Sequence, residues 1–418
     1  MSTTDEFNVS RALDTAGTEN RIARRNAIVY AICQAFNGAA APVNIALGGL
    51  AGSYLLAADK SLATAPVTGF SVGMALGTVP AAMLTRYIGR KFGFIGGLLI
   101  GIAGTLLAGY ALIIGSFVLF CCGALGSGIA SGFGQQYRFA AADRGTPDFK
   151  SKAISWVLVG GVASAIIGPQ LIIYTGDLML PVQFAGAYFS AALLYAVAIA
   201  AMLFLDSSQP AEAADTGPPP VARSLPAIMM QPRFLVALLC GTAGFALMTF
   251  VMTGAPLAMV AEGISRDHAV LGIQWHVLAM FAPSFVTGNL IARFGKETIV
   301  AAGLIILIIC GGVALAGIDL WHFWLSLILL GIGWNFSFIG ATAMITDTYA
   351  PHEKNKAQGV HDLILFSFAG LSSFMSGLVL NSFGWATLNI ITFPVVVISI
   401  LALIWLLQFE RRPSRAGA

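Results

Sequence analysis

The sequence predicts an all-α membrane protein with twelve transmembrane helices in two pseudo-symmetric six-helix bundles. Three observations carry that expectation. Hydrophobic residues make up 57% of the chain and charged residues only 10%, far too little charge for a surface facing water. Apolar stretches of about 20 residues, the length that crosses a hydrocarbon layer about 30 Å thick, recur from end to end. The 22 lysines and arginines fall almost entirely in alternate loops, leaving only Lys60 and Arg266 on the opposite side. Such a bias fixes the orientation of the spans and also checks their number.

The expected spans are 26–51, 64–85, 92–113, 116–140, 153–174, 183–205, 234–258, 268–292, 298–317, 321–346, 357–381 and 385–408. With the amino terminus inside, Arg24 and Arg25 precede span 1, and Arg86, Arg90 and Lys91 follow span 2. Arg138 to Lys152 follow span 4, Arg293 and Lys296 follow span 8, and Lys354 and Lys356 follow span 10. Both chain ends are then cytoplasmic, in a bacterial-type inner membrane. Residues 1–25 hold Asp5, Glu6, Asp14 and Glu19 without a short apolar core, so no cleavable leader is expected.

The loop 206–233 contains Pro210 and the run Pro218, Pro219, Pro220, a composition that cannot bury a core. It divides the chain into a tail (1–25), a first bundle (26–205), a linker (206–233), a second bundle (234–408) and a tail (409–418). Gly97 with Gly101, and Gly128 with Gly132, have the spacing that lets membrane helices approach closely. The five cysteines all fall inside spans with no Cys-x-x-Cys pair, which marks packing residues, not a metal site. No cofactor is expected. The net charge of +3 follows from membrane topology and does not indicate nucleic acid. The expected partners are a small-molecule substrate and the lipid bilayer, with the chain acting as a monomer.

The two halves repeat each other. Asp143, Pro147, Lys150, Lys152, Ala153 and Asp347, Pro351, Lys354, Lys356, Ala357 share one pattern at an offset of 204. Leu125, Gly126 and Gly128 answer Leu330, Gly331 and Gly333 at an offset of 205. The loop Arg86-Tyr87-Ile88-Gly89-Arg90-Lys91 has its counterpart in Arg293-Phe294-Gly295-Lys296. Ordered matches at nearly constant offset imply duplication of a six-helix unit. Parallel repeats of this kind build transporters whose substrate site lies near the bilayer midplane.

With these motifs the chain resembles the major facilitator superfamily over its whole length. That family has a Gly-x-x-x-Asp-Arg-x-Gly-Arg-Lys loop between helices 2 and 3. Here Ala82 replaces the glycine and Arg86 the acid, while in the second half Gly288 is kept and Ala292 replaces the acid. The resemblance therefore moves the gating ion pairs to Asp143 and Asp347, with Arg86, Arg90 and Arg293 nearby. The strings Gln136–Asp143, Phe250–Thr253 with Pro256–Met259, and Ile273–Val277 look like a bacterial subgroup to which riboflavin uptake has been attributed.

Charged and amide side chains in hydrocarbon are expensive unless they face a cavity or a partner, so their placement is informative. Spans 3, 6 and 9 carry almost none. Spans 1, 4, 5, 8, 10 and 11 carry Gln34, Asn37, Asn44, Gln135, Gln136, Gln170, Gln274, His276, Asn335, His361 and Asp362. The resemblance implies that helices 1, 4, 7 and 10 line the cavity and 3, 6, 9 and 12 stay outside, which fits except at span 7. Asn37 lies roughly 16 Å along span 1, at 1.5 Å per residue. Trp275, His276, Trp334 and Asn335 reach comparable depths. Neutral hydrogen-bonding groups and indole faces suit a planar, largely uncharged solute with polar edges.

The candidate substrate-binding residues are Gln34, Asn37, Gln135, Gln136, Tyr137, Arg138, Gln170, Gln274, Trp275, His276, Trp334 and Asn335. Each amide could instead serve as an interhelical hydrogen bond, and Arg138 as an interfacial anchor or gate. Asp362 with His361 forms the candidate proton-coupling pair, and the competing role for Asp362 is a favourable charge near a helix start. The expected function is secondary active transport of a small planar solute, riboflavin among the candidates, by proton-coupled uptake. The alternative is proton-coupled efflux of amphipathic compounds. The exporter signature in helix 5 is only half present: Gly168-Pro169 remains, but Ser164 stands for the first glycine and Ile172-Ile173 for the final pair. No nucleophile motif or glycine-rich nucleotide loop is present, so the chain is not expected to be an enzyme.

Overall fold

A computed structural model describes residues 3–57, 59–143, 147–207 and 223–411, and among these every regular element is helical. Span 1 is α1 (Thr3–Gly38) followed by α2 (Ala40–Leu55), and spans 2 and 3 are α3 (Ala65–Tyr87) and α4 (Arg90–Ile113). Span 4 is α5 (Phe117–Gly134) with the short α6 (Tyr137–Ala141), and spans 5 and 6 are α7 (Pro147–Thr175) and α8 (Ala185–Met202). The short α9 (Leu225–Met229) leads into α10 (Pro232–Ala261), which is span 7. Span 8 is broken into α11 (Arg266–Phe281) and α12 (Ser284–Phe294), and α13 (Lys296–Ala316), α14 (Leu320–Ile345), α15 (Lys354–Ile390) and α16 (Thr392–Glu410) follow.

Ten stretches are long and apolar enough to cross a membrane alone, and the pair α11–α12, bent by 41°, adds another. Pro283, between those two helices, has no N–H to continue the ladder, which accounts for the break. The stretch Lys356–Glu410 is 55 residues long. At 1.5 Å per residue it measures about 80 Å, more than twice the hydrocarbon thickness. Gly384 interrupts it with φ 79°, a conformation that favours glycine, so by length it provides two crossings, which makes twelve among the described residues. The two cations outside the basic loops have local partners. Lys60 Nζ donates to the carbonyls of Ser53 and Leu56 at 2.5 Å each, closing the C-terminal end of α2, and Arg266 pairs with Asp267 at 3.2 Å.

The helices pack as two units. One joins the chain up to Asn44 with the helices from Gly73 to α8; the other joins Ile45–Val72 with the helices from α9 onward. In the first unit α1 packs on α7 and α8, and α4 on α5 and α8. In the second, α10 packs on α15 and α16, and α13 on α14 and α16. Counted by span, these pairings correspond.

The duplication extends to single atoms. Gly104 of α4 approaches α5 so closely that a Cβ would lie 2.8 Å from the Gly123 carbonyl oxygen and 2.6 Å from Ser127 N. Gly303 of α13 meets α14 the same way, 2.8 Å from the Gly333 oxygen and against Ser337 N. This pairs Gly123 with Gly333, an offset of 210; the sequence match at 205 is out of step with the packing inside this helix. Cys33 Sγ lies 3.4 Å from the Ala198 carbonyl, and Cys240 Sγ lies 3.7 Å from the Ser399 carbonyl, again equivalent positions. Cys33 and Cys240 therefore fill interhelical seams as small polarisable packing groups, whereas Cys122 is exposed.

Candidate functional site

In the second unit, α10, α14 and α15 bring four aromatic rings together. Trp334 and Phe338, one turn apart on α14, lie parallel with centroids 5.1 Å apart and 14° between planes. Phe245 of α10 presents its edge to Trp334 at 5.7 Å and to Phe338 at 5.4 Å, and meets Phe366 of α15 at 5.8 Å. Offset and edge-to-face geometries of this kind follow from the ring quadrupoles. Trp334 is 8% exposed, and its Nε1–H finds no acceptor among the described residues. Phe245, Phe338 and Phe366 are half-buried.

One turn before Phe245, Gly241 lies beside Ala341 and His361, where a Cβ would stand 3.7 Å from His361 Nε2. Buried His361 places Nδ1 2.9 Å from Asp362 Oδ1, and its Nε2 has no partner among the described residues. The Asp362 side chain is 58% exposed.

The other predicted residues of this unit lie elsewhere. Asn335 is fully buried and holds the broken span 8: Nδ2 donates to the Met280 carbonyl and to Ser284 Oγ, each at 2.7 Å. Fully buried His276 places Nδ1 2.8 Å from the Leu327 carbonyl. Gln274 is buried on the same helix, whereas Trp275 is 41% exposed.

The first unit separates its predicted residues too. Gln34 is half-buried on the α1 face that meets α7, where Gly160, Ser164 and Gly168 pack against Ala31, Gly38 and Ala39. The partial exporter signature in span 5 therefore forms a close helix crossing. Asn37 Nδ2 lies 3.4 Å from the Ala130 carbonyl, and its Oδ1 is buried without a partner among the described residues. Gln135 is exposed at the break between α5 and α6, and Gln136 Nε2 donates to the Thr78 carbonyl at 3.1 Å. Tyr137 is fully enclosed, stacked on Tyr30 at 5.9 Å and edge-on to Phe94 at 5.0 Å. Arg138 is exposed with its guanidinium 4.8 Å over the Phe139 ring, and Gln170 is half-buried on α7.

The loop ends form two equivalent ion pairs, Arg90 with Asp143 and Lys296 with Asp347, the latter at 2.5 Å. Each cation directly follows a left-handed glycine, Gly89 at φ 82° or Gly295 at φ 88°. Arg86 and Arg293 are exposed. Arg233 joins the second cluster through Glu297, Asp347 and Glu410. Sequence reasoning missed Phe245, Phe338 and Phe366 because a phenylalanine inside an apolar span has the pattern of packing. The i, i+4 spacing of Trp334 and Phe338 was the available signal.

The model of the Major Facilitator Superfamily matches residues 26–310 and 270–418. The chain belongs to the Major Facilitator Superfamily. The riboflavin transporter RfnT of Brucella anthropi is 47% identical over 405 residues, covering 96% of this chain and 99% of that protein. The MFS-type transporter YddS of Bacillus subtilis is 28% identical, covering 92% and 93%. Among solved structures, a mutant of the nucleoside transporter NupG superposes with a TM-score of 0.65 at 15% identity, covering 92% of this chain and 99% of that one. The human organic anion transporter MFSD10 gives 0.62 at 16% identity, covering 91% and 99%. These structural likenesses show the superfamily fold. As a superfamily member the chain is a multi-pass membrane transporter of a small molecule, not an enzyme. The first-loop acid that superfamily members usually carry is replaced here, and the loop cations pair with Asp143 and Asp347.

Proposed function

We propose that this chain carries riboflavin inward across the inner membrane by alternating access, coupled to protons. The observation that carries the substrate is the 47% identity, sustained over 96% of the chain, to a riboflavin transporter. The chain works as a monomer, with the tails 1–25 and 409–418 and the linker 206–233 on the cytoplasmic side of bundles 26–205 and 234–408. Trp334 supplies a binding contact within the second unit, and the Arg90–Asp143 and Lys296–Asp347 pairs act as gates. Proton coupling rests on His361 and Asp362, whose contact lets one proton be shared between an imidazole and a carboxylate inside a membrane helix.

The test is accumulation of labelled riboflavin by riboflavin-requiring cells that lack their own transporter and express this chain. Accumulation above the external level, abolished by a protonophore, is expected. Faster loss of preloaded riboflavin on expression would instead establish export. Asp362→Asn should abolish gradient-driven accumulation while leaving counterflow exchange intact, and pH-driven accumulation persisting in that variant would remove the coupling role.

A further inference from the structure

We infer that Trp334, Phe338, Phe245 and Phe366 form the subsite for the fused aromatic ring of the substrate, with Trp334 Nε1 and His361 Nε2 hydrogen-bonding its polar edge. The inference rests on the riboflavin reading and adds which part of that molecule is recognised, and by which side chains. Packing alone would be met by a phenylalanine at position 334. The indole adds an N–H that is buried without an acceptor among the described residues, an arrangement that is unfavourable unless something arrives to accept it. His361 Nε2, next to Gly241 and so one turn of α10 from Phe245, is another of the buried nitrogens without a partner among the described residues. The four residues from Gly241 to Phe245 rise about 6 Å along the helix.

Indole can only donate, whereas a neutral imidazole nitrogen donates or accepts according to its tautomer. That pair suits a ring edge on which carbonyl acceptors flank an imide N–H. The parallel Trp334–Phe338 pair and the edges of Phe245 and Phe366 offer apolar contact to the rest of a flat fused ring. The sugar-alcohol chain of riboflavin has no flat face, so the ring, not the chain, is what this cluster selects.

The experiment is equilibrium binding to the purified full-length protein, read by quenching of flavin fluorescence. The probes are riboflavin, lumiflavin (the ring system with a methyl group in place of the sugar-alcohol chain) and ribitol (the chain alone). Lumiflavin should compete with riboflavin and ribitol should not. Trp334→Phe keeps the packing and removes the N–H, and should weaken riboflavin and lumiflavin alike by about tenfold, the equivalent of one hydrogen bond. Phe338→Ala should weaken both by about tenfold or more, as loss of an aromatic stacking face does. Trp321→Phe, at the exposed end of α14, should leave both affinities unchanged. Should Phe338→Ala not fold, Trp334→Phe and the wild-type competition decide the matter. Riboflavin binding unaffected by Trp334→Phe, or competition by ribitol and not lumiflavin, overturns the ring subsite while the transport reading stands. A folded wild type that binds neither flavin overturns both.

Discussion

Thr287 Oγ1 lies 2.6 Å from Asn335 Oδ1, and both side chains are fully buried. The same hydroxyl is 2.8 Å from the Pro283 carbonyl, so its single proton serves one acceptor at a time. Asn335 thereby fastens both sides of the break in span 8, reaching Met280 before it and Ser284 and Thr287 after it. Asn335→Ala should destabilise the protein by about 1–3 kcal/mol for each buried group left unpaired. Thermal unfolding in detergent should show a clear drop in midpoint, and Thr287→Val a smaller one. An unchanged midpoint for Asn335→Ala would mean the break holds without this fastening.

The paired glycine contacts predict paired mutational effects. A methyl at Gly104 or Gly303 meets the backbone of the facing helix, which cannot swing aside as a side chain can. Gly104→Ala and Gly303→Ala should each lose about 1–3 kcal/mol through overpacking and reduce the yield of folded protein to a similar degree. Gly312→Ala, with nothing within 4 Å, should be neutral. Monodispersity after detergent extraction measures all three.

Thr64 and Thr68, flanking the start of α3, belong to the unit that contains α15. Thr68 Oγ1 lies 3.3 Å from Ser373 Oγ, and a Cβ on Gly377 would fall 2.9 Å from Thr64 Cγ2. Gly377→Val should therefore disfavour the conformation described here and slow transport several-fold, whereas Gly359→Ala, with open space around it, should not. Initial uptake rates compared at equal expression decide this, and equal rates for the two variants would show that this seam does not limit transport.

Glu353, which is buried, accepts hydrogen bonds from the Arg223 backbone N–H at 2.8 Å, from its Nε at 2.9 Å and from the Ala350 N–H at 2.9 Å. Those donors hold its carboxyl well below the usual carboxylate range and raise Arg223 above its ordinary value. A depressed carboxylate contributes stability that is full above its unfolded pKa and is lost only as pH falls through the folded one. The destabilisation caused by Glu353→Gln should therefore be constant from neutral pH down to about pH 5, where unfolded carboxylates are still ionised. Midpoints of wild type and variant converging within that interval would contradict the assignment.

Much of the fold was legible because membrane insertion writes itself into composition. The basic loops and apolar lengths gave the crossings, and the Asp143 and Asp347 motifs marked the equivalent ion pairs that the helices then bring together. The break at Pro283 was not anticipated, because apolar length alone does not reveal a bend. The pairing of Ile45–Val72 with the later helices was equally hidden, since it depends on three-dimensional contacts and not on local pattern. At the site, polarity was a mixed guide. It led to Trp334 and His361, but it gave Asn335 the same weight, although that amide is taken up by span 8. Aromatic side chains carry no polar signal, so Phe245 and Phe366 became visible only through their ring geometry.

Arg233 stands at the start of α10, facing Glu410 at 3.0 Å, where the first copy places Asn26 opposite the backbone of Asp206 at 3.0 Å. At this seam one copy thus uses a neutral amide and the other full charges. Electrolyte screens charges and leaves a neutral amide pair almost untouched. The two copies have diverged at this one seam: rising ionic strength loosens the Arg233–Glu410 link and spares the Asn26–Asp206 one.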